Sequence, residues 1–274
     1  MRRFLFITSL LICLMAGWGC IPDGITENED IEMARESYSK GLYLEAEKSY
    51  ERYLQVEPQG QFRNEAWDRL STIAVTIKGD YDRAVVLLEA MHLELGTDPE
   101  KAWEIMYQLG DVYDKLGNRP KAMESFEKCL VYAIESSEHI YTTQLRMAKL
   151  YRAMGNYEMV AITLENCADS AADNEARARC LYELAQSYSF ISNWTHSRRA
   201  LEALLELDDI SAERHALAIF LLADIYENER NYAKTKELLE SILDTYPNPK
   251  VVESRLANLP YIPPPVVPPR PPSN

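Results

Sequence analysis

The chain has 274 residues, 47% of them apolar and 26% charged, the makeup of a soluble globular protein with enough chain to bury a sizeable core. Its 29 basic and 43 acidic residues leave a net charge of −14. That argues against nucleic acid as a partner, because phosphate binding needs a positive footprint, and it disfavours adsorption to an anionic membrane surface.

In chain order, Arg2-Arg3 and the 12-residue apolar run FLFITSLLICLM come first, followed by small residues and Cys20. A basic start and an apolar centre too short to span a bilayer predict a secretory signal peptide over 1–19. Its end, AGWGC, resembles the bacterial lipobox at Gly19 and Cys20, whereas Gly17 and Trp18 depart from that pattern. The resemblance implies a lipid anchor on Cys20 and a lipidated tether over 20–26, with ordinary cleavage and secretion as the alternative. Ile21 after the cysteine resembles lipoproteins sorted to the outer membrane of Gram-negative bacteria. The body would then be a soluble domain facing the periplasm, held on the membrane by its N-terminal lipid.

From residue 27 to 249 one pattern recurs. Gly41-Leu42-Tyr43, Gly79-Asp80-Tyr81, Gly117-Asn118-Arg119, Gly155-Asn156-Tyr157, Ser192-Asn193-Trp194 and Arg230-Asn231-Tyr232 fall into register. Their third residues, at 43, 81, 119, 157, 194 and 232, are 38, 38, 38, 37 and 38 apart. Seven residues before each hinge stand Ala34, Thr72, Gly110, Ala148, Ala185 and Ala223; five after it stand Ala46, Ala84, Ala122, Val160, Ser197 and Thr235. Small residues at both places let two helices of a hairpin approach closely. Tyr113, Tyr151, Tyr188 and Tyr226, with Tyr50 and Phe126, fill the wedge beside them. Glycine or asparagine at the hinge suits a left-handed helix end, and Pro120 suits a first helical turn.

These columns resemble the tetratricopeptide repeat (TPR) family. The usual period there is 34, so each unit here is about one helical turn longer. The resemblance implies an all-α fold, a right-handed superhelical solenoid of six TPR-like hairpins with a period of about 38. The longer units are also similar to those of TPR lipoproteins of outer-membrane assembly. After the repeats, residues 250–259 place Val251, Val252, Arg255, Leu256 and Leu259 along one side of a short helix, which predicts a C-terminal cap. Residues 260–274 then hold 8 of the chain's 14 prolines. That stretch is expected to run as extended polyproline II, either as an unstructured tail or as a docking arm or spacer.

Residues that carry chemistry are sparse. Cys129 and Cys167 share a column with Tyr53, Met91, Leu204 and Ile242 and read as core residues. Cys167 and Cys180 fall on neighbouring helices, so in an oxidising compartment a disulfide between them is open. No C-x-x-C, phosphate-cradling glycine loop or nucleophile elbow occurs, and His92, His139, His196 and His215 have no ligand spacing. No metal, no cofactor and no enzymatic activity are expected.

What remains is the face of the first helices, which in TPR proteins lines a concave groove for a peptide or partner helix. The resemblance places Tyr107, Asp111, Asp114, Leu145, Arg146, Lys149, Arg152, Arg179, Tyr182, Gln186, Phe220 and Asp224 there. Arg146, Lys149, Arg152 and Arg179 form a basic island that could clamp an acidic segment between Tyr107 and Tyr182. The competing expectation is that Asp111 and Asp114, one repeat earlier in matching columns, neutralise Lys149 and Arg152. The functional expectation is a scaffold for other envelope proteins in outer-envelope assembly, of the β-barrel or secretin/pilus type. A peptidoglycan- or glycan-associated module that coordinates cell-wall synthesis, with groove tyrosines and Trp194 stacking on sugars, is the alternative.

Overall fold

The computed structural model describes residues 29–133 and 136–260. The signal peptide, Cys20, its tether and the tail beyond Pro260 lie outside the described residues. Among those described there are thirteen α-helices and no strand. In the first compact unit, which ends at Lys78, α1 (Glu29–Ser39) pairs with α2 (Tyr43–Val56), and α3 (Arg63–Thr72) packs on α2 and widens into a π-helical stretch, Ile73–Lys78. The second unit begins at Gly79. It holds α4 (Tyr81–Leu95), then the pairs α5 (Pro99–Lys115) and α6 (Arg119–Tyr132), α7 (Ser137–Ala153) and α8 (Tyr157–Ser170), α9 (Asn174–Phe190) and α10 (Trp194–Leu205), α11 (Ala212–Asn228) and α12 (Tyr232–Ser241), and last α13 (Pro249–Ala257).

The hinge column explains why the pattern recurs. Gly41, Gly79, Gly117 and Gly155 lie at φ of 74°, 63°, 74° and 73°, and Ser192 and Arg230 take the same left-handed conformation at 56° and 60°. The next residue closes one helix and opens another. The Asn118 amide donates to the Tyr113 carbonyl at 2.8 Å, while its side-chain oxygen accepts from the Lys121 amide at 3.3 Å. Asn156, Asn193 and Asn231 repeat both bonds, to Tyr151 and Met159, Tyr188 and His196, and Tyr226 and Lys234. A six-to-one helix end followed by an asparagine N-cap is thus built from one two-residue unit. Leu42 holds this place in the first hairpin and supplies no side-chain cap.

A left-handed conformation costs an ordinary L-residue roughly 1–2 kcal/mol, of which glycine's extra unfolded-state entropy returns about half. Arg230→Gly is therefore expected to raise stability by about 0.5–1 kcal/mol, read as a higher urea midpoint at unchanged slope. A lower midpoint would show that the exposed Arg230 side chain contributes more than its backbone strain.

The small-residue columns are buried throughout except at Thr72, which is half-buried where α3 gives way to the wider π-helical turn. At the far end α13 covers the last apolar face. Val252 is buried among Ala216, Ile219, Leu239 and Ile242, with Leu256 and Leu259 packed beside it. Val251, expected on this side as well, is instead 42% exposed. Among the described residues no helix is long and apolar enough to cross a membrane.

Candidate functional site

Within the second unit successive first helices touch: α5 meets α7, α7 meets α9, and α9 meets α11. The second helices of neighbouring pairs come together less. The stack of pairs therefore bends with the first helices on the inside, and their exposed side forms the concave face. One residue per repeat lies at the same level there: Tyr107, Leu145, Tyr182 and Phe220, all half-buried. Tyr107 stacks on Trp103 at 5.1 Å and meets Phe126 edge-on at 5.8 Å. Trp103 lies against His139 at 3.7 Å and donates its indole N–H to Thr143 Oγ1 at 3.0 Å. Leu145 and Tyr182 pack on the core of α7 to α11. Phe220 stacks on Tyr246 at 4.6 Å, with the Arg255 guanidinium 4.8 Å from its ring centroid.

Burial pushes the phenols of Tyr107 and Tyr182 up, helped by Asp111 at the first and by Tyr246 and Glu183 at the second. Neither hydroxyl makes a hydrogen bond among the described residues. This row is a rail of rings and one aliphatic side chain, with two hydroxyl donors uncommitted.

The basic island is largely consumed, though not by the expected partners. Arg146 pairs with Asp111, donating Nε to Oδ1 at 2.8 Å with a second contact from its terminal nitrogen. Arg152 donates to Glu183 at 2.7 Å and to Gln186 at 3.4 Å. Asp111 therefore does not neutralise Lys149, and Asp114 does not neutralise Arg152. Asp114 is half-buried, Lys149 and Arg179 are exposed, and none of the three forms an ion pair among the described residues. Two cations of the four are left for a ligand.

Further ion pairs tie neighbouring helices. Glu175 accepts from the Ser211 amide at 2.8 Å, the Ser211 hydroxyl at 3.1 Å and Arg214 Nε at 3.3 Å, locking the starts of α9 and α11 together. Burial works against the charged Glu175, and these donors outweigh it, so its carboxyl stays below the usual range. Arg255 pairs with Asp224 and, at 2.6 Å, with Glu227. Burial nevertheless pushes the Asp224 carboxyl up. Arg179 opens on a cavity of about 420 Å³ lined also by Glu138, Tyr141, Asp173, Glu175 and Arg214.

The cysteines divide as their columns require. Cys167 and Cys180 are both fully buried and disulfide-bonded, joining α8 to α9. Cys129 remains a free thiol, pushed up to about 12 by burial, with Asp111 nearby adding to the effect. Trp194 packs against the core of α7 to α11. Among the described residues no group of histidine, cysteine or acidic side chains could hold a metal ion.

Two family models, each described as tetratricopeptide repeat, match residues 104–130 and 217–249, the third and the sixth hairpins. The chain carries tetratricopeptide repeats. The same fold is found in solved structures. One is BtubC (BKLC) from P. vanneervenii, 15% identical over 90% of this chain and 98% of that one, with a TM-score of 0.56. A second is PilW, a widely conserved type IV pilus biogenesis factor, 17% identical over 84% and 97%, with a TM-score of 0.51. A TPR protein from Parabacteroides merdae also aligns, 16% identical over 84% and 96%, at the lower TM-score of 0.44. At such identities the shared property is the TPR fold. Among curated proteins no sequence match is found.

The two matched segments hold the hinges at Gly117 and Arg230, both in the left-handed conformation. The groove residues fall outside those columns. Arg146, Arg152, Gln186, Asp111 and Asp224 are shown by their contacts to join neighbouring helices, and Glu183, the partner of Arg152, went unnoticed in the sequence.

Proposed function

We propose that this TPR protein is a lipid-anchored, periplasm-facing scaffold whose concave face holds a peptide or helix of an envelope partner. The observation that carries it is the rail of Tyr107, Leu145, Tyr182 and Phe220, with Arg179, Lys149 and Asp114 uncommitted beside it, on the inner side of a stack whose other named groove charges, Asp111, Arg146, Arg152 and Asp224, are paired within the protein. We read this as a binding role, because the groove offers rings, two uncommitted hydroxyl donors and two uncommitted cations.

The compartment is argued from the sequence. Arg2-Arg3, the apolar run and Gly19-Cys20 support export and lipidation. Residues 21–26 extend at most about 20 Å, so the first repeat would stay near the membrane. The Cys167–Cys180 disulfide fits an oxidising compartment. Of the outer-envelope pathways, pilus or secretin assembly is the first to test, because PilW, a pilus biogenesis factor, has this fold. The glycan reading gains nothing, since Trp194 is taken up by packing.

The test crosslinks intact envelopes and compares proteins recovered with the wild type and with a Tyr182→Ala, Arg179→Glu variant. Arg146 and Arg152 are left unchanged, because reversing them would loosen the stack. An envelope protein is expected with the wild type and not with the variant; identical recovery from both would refute the concave site. Cys20→Ser is expected to release the chain from membranes, and retention would refute the anchor.

A further inference from the structure

The hinges carry a feature that their own geometry does not call for. In the third, fourth and fifth hairpins the residue just before the left-handed position is Leu116, Met154 and Ile191, exposed by 39%, 48% and 43%. Phe190, beside Ile191, is 61% exposed. The first, second and sixth hairpins turn equally well with Lys40, Lys78 and Glu229 at that place. What closes the turn is backbone, so the apolar side chains are there for another reason.

Successive hinges lie along one edge of the second unit. Lys115 at the third stands 5.2 Å from the centroid of the Tyr81 ring at the second. Arg152 at the fourth stands 5.7 Å from the Phe190 ring at the fifth, and Arg198 just after the fifth pairs with Glu229 at the sixth. The Arg146–Asp111 pair joins α5 to α7, the helices that end at the third and fourth. The edge is also cationic. Over 115–121, 152–158 and 190–199, Arg152 and Arg198 are neutralised by Glu183 and Glu229. Lys115, Arg119, Lys121 and Arg199 are exposed and form no ion pair among the described residues, and Glu158 is the one acid in those stretches. A chain of net charge −14 is thus locally basic where its apolar side chains protrude.

Protruding apolar groups among cations on long stems match a bilayer surface. The apolar groups enter the headgroup boundary while lysine and arginine stay with the phosphates. An acidic helix would use the same cations, yet it is held by apolar residues that line a groove, and these stand on separate turns of an edge. The acidic remainder of the chain does not cancel the attraction, because charges more than about 10 Å away are screened at about 0.1 M salt.

We propose that the hinge edge of the third to fifth hairpins is a contact surface for an anionic phospholipid bilayer. Leu116, Met154, Phe190 and Ile191 enter the headgroup layer, and Lys115, Arg119, Lys121 and Arg199 lie on the phosphates. The concave face is a different surface and stays open to its partner.

The test measures cosedimentation of a chain beginning at Ile21, which keeps every described residue, with vesicles of phosphatidylglycerol and phosphatidylcholine in equal parts and with phosphatidylcholine alone. Binding is expected to the mixed vesicles only. At about 5-fold per cation near the surface, Lys115→Gln, Arg119→Gln should weaken it about 25-fold. Met154→Ser, Ile191→Ser keeps every charge, changes only exposed side chains, and should weaken it by about 10-fold or more. In the full chain reconstituted in the mixed vesicles, Met154 should resist peroxide that oxidises it in phosphatidylcholine vesicles. No binding, equal binding to both vesicles, or equal oxidation of Met154 overturns the proposal. So does binding that poly-glutamate displaces and that Met154→Ser, Ile191→Ser leaves unchanged, because the edge would then be a site for an acidic protein. None of these substitutions touches the concave row, so the crosslinking result with Tyr182→Ala, Arg179→Glu is decided separately.

Discussion

Reduction of the Cys167–Cys180 disulfide is expected to destabilise the second unit by about 3 kcal/mol. The bond closes a loop of sequence separation 13 across the α8–α9 connection. For a loop of that size the lost unfolded-state entropy corresponds to roughly 3 kcal/mol. Both cysteines are fully buried, so the effect depends on the reductant reaching them and is best measured at equilibrium. The readout is the urea midpoint with and without a phosphine reductant, set beside a Cys167→Ala, Cys180→Ala chain. In a repeat array each hairpin contacts its neighbours, so loss of amide protection should be largest in α8 and α9. Cys129→Ala serves as the control, because its thiol is isolated in the core and pushed up to about 12 by burial. Equal midpoints under oxidising and reducing conditions would show that the bond adds nothing to the packed hairpins.

The disulfide also shows how far column reasoning reaches. Cys129 and Cys167 share one column; Cys180 shares another with Ile105, Thr143 and Ala218. A cysteine faces a cysteine only in the α8–α9 step, which is why one pair forms and Cys129 stays free. The spacing placed the two on adjacent helices but could not settle that their sulfurs meet. Hinges were legible because they answer to backbone geometry: the left-handed φ at Gly117 and the Asn118 cap need particular residues whatever surrounds them. Ion pairs were not. Same-column logic looks 38 residues away from α5 to α7 and 37 from α7 to α9, whereas Arg146 finds Asp111 at 35 and Arg152 finds Glu183 at 31. Those offsets of 3 and 6 from the column spacing are about one turn and nearly two turns along the neighbouring first helix. Long arginines reach along the groove, and the hydrophobic period carries no record of that slant. The rail at Tyr107, Leu145, Tyr182 and Phe220 was visible as groove-lining residues, but their common level needed the stacked helices to be seen.

Gly110→Ala is expected to destabilise the chain by about 1–3 kcal/mol, although alanine is the better helix former by about 1 kcal/mol. A Cβ at Gly110 would stand 2.6 Å from Phe126 Cε1, 2.8 Å from Cζ and 2.9 Å from Cδ1. Phe126 is 1% exposed, so its ring has no room to retreat. The later repeats show the other solution: Ala148 with Leu164, Ala185 with Leu201 and Ala223 with Leu239, all buried. Phe126→Leu alone should cost about 1–2 kcal/mol, because it leaves space beside a glycine. Combined, the two substitutions rebuild in the third hairpin the pair used by the fourth to sixth. The double variant is therefore expected to be more stable than the sum of the singles predicts by about 1–3 kcal/mol, measured as a coupling energy from urea midpoints at constant slope. Additive losses would mean that the ring shifts freely and that Gly110 is not held by it. A positive coupling would assign this departure from alanine to one bulky partner, so that glycine at 110 reports on packing inside the hairpin and carries no information about the ligand on the other face of α5.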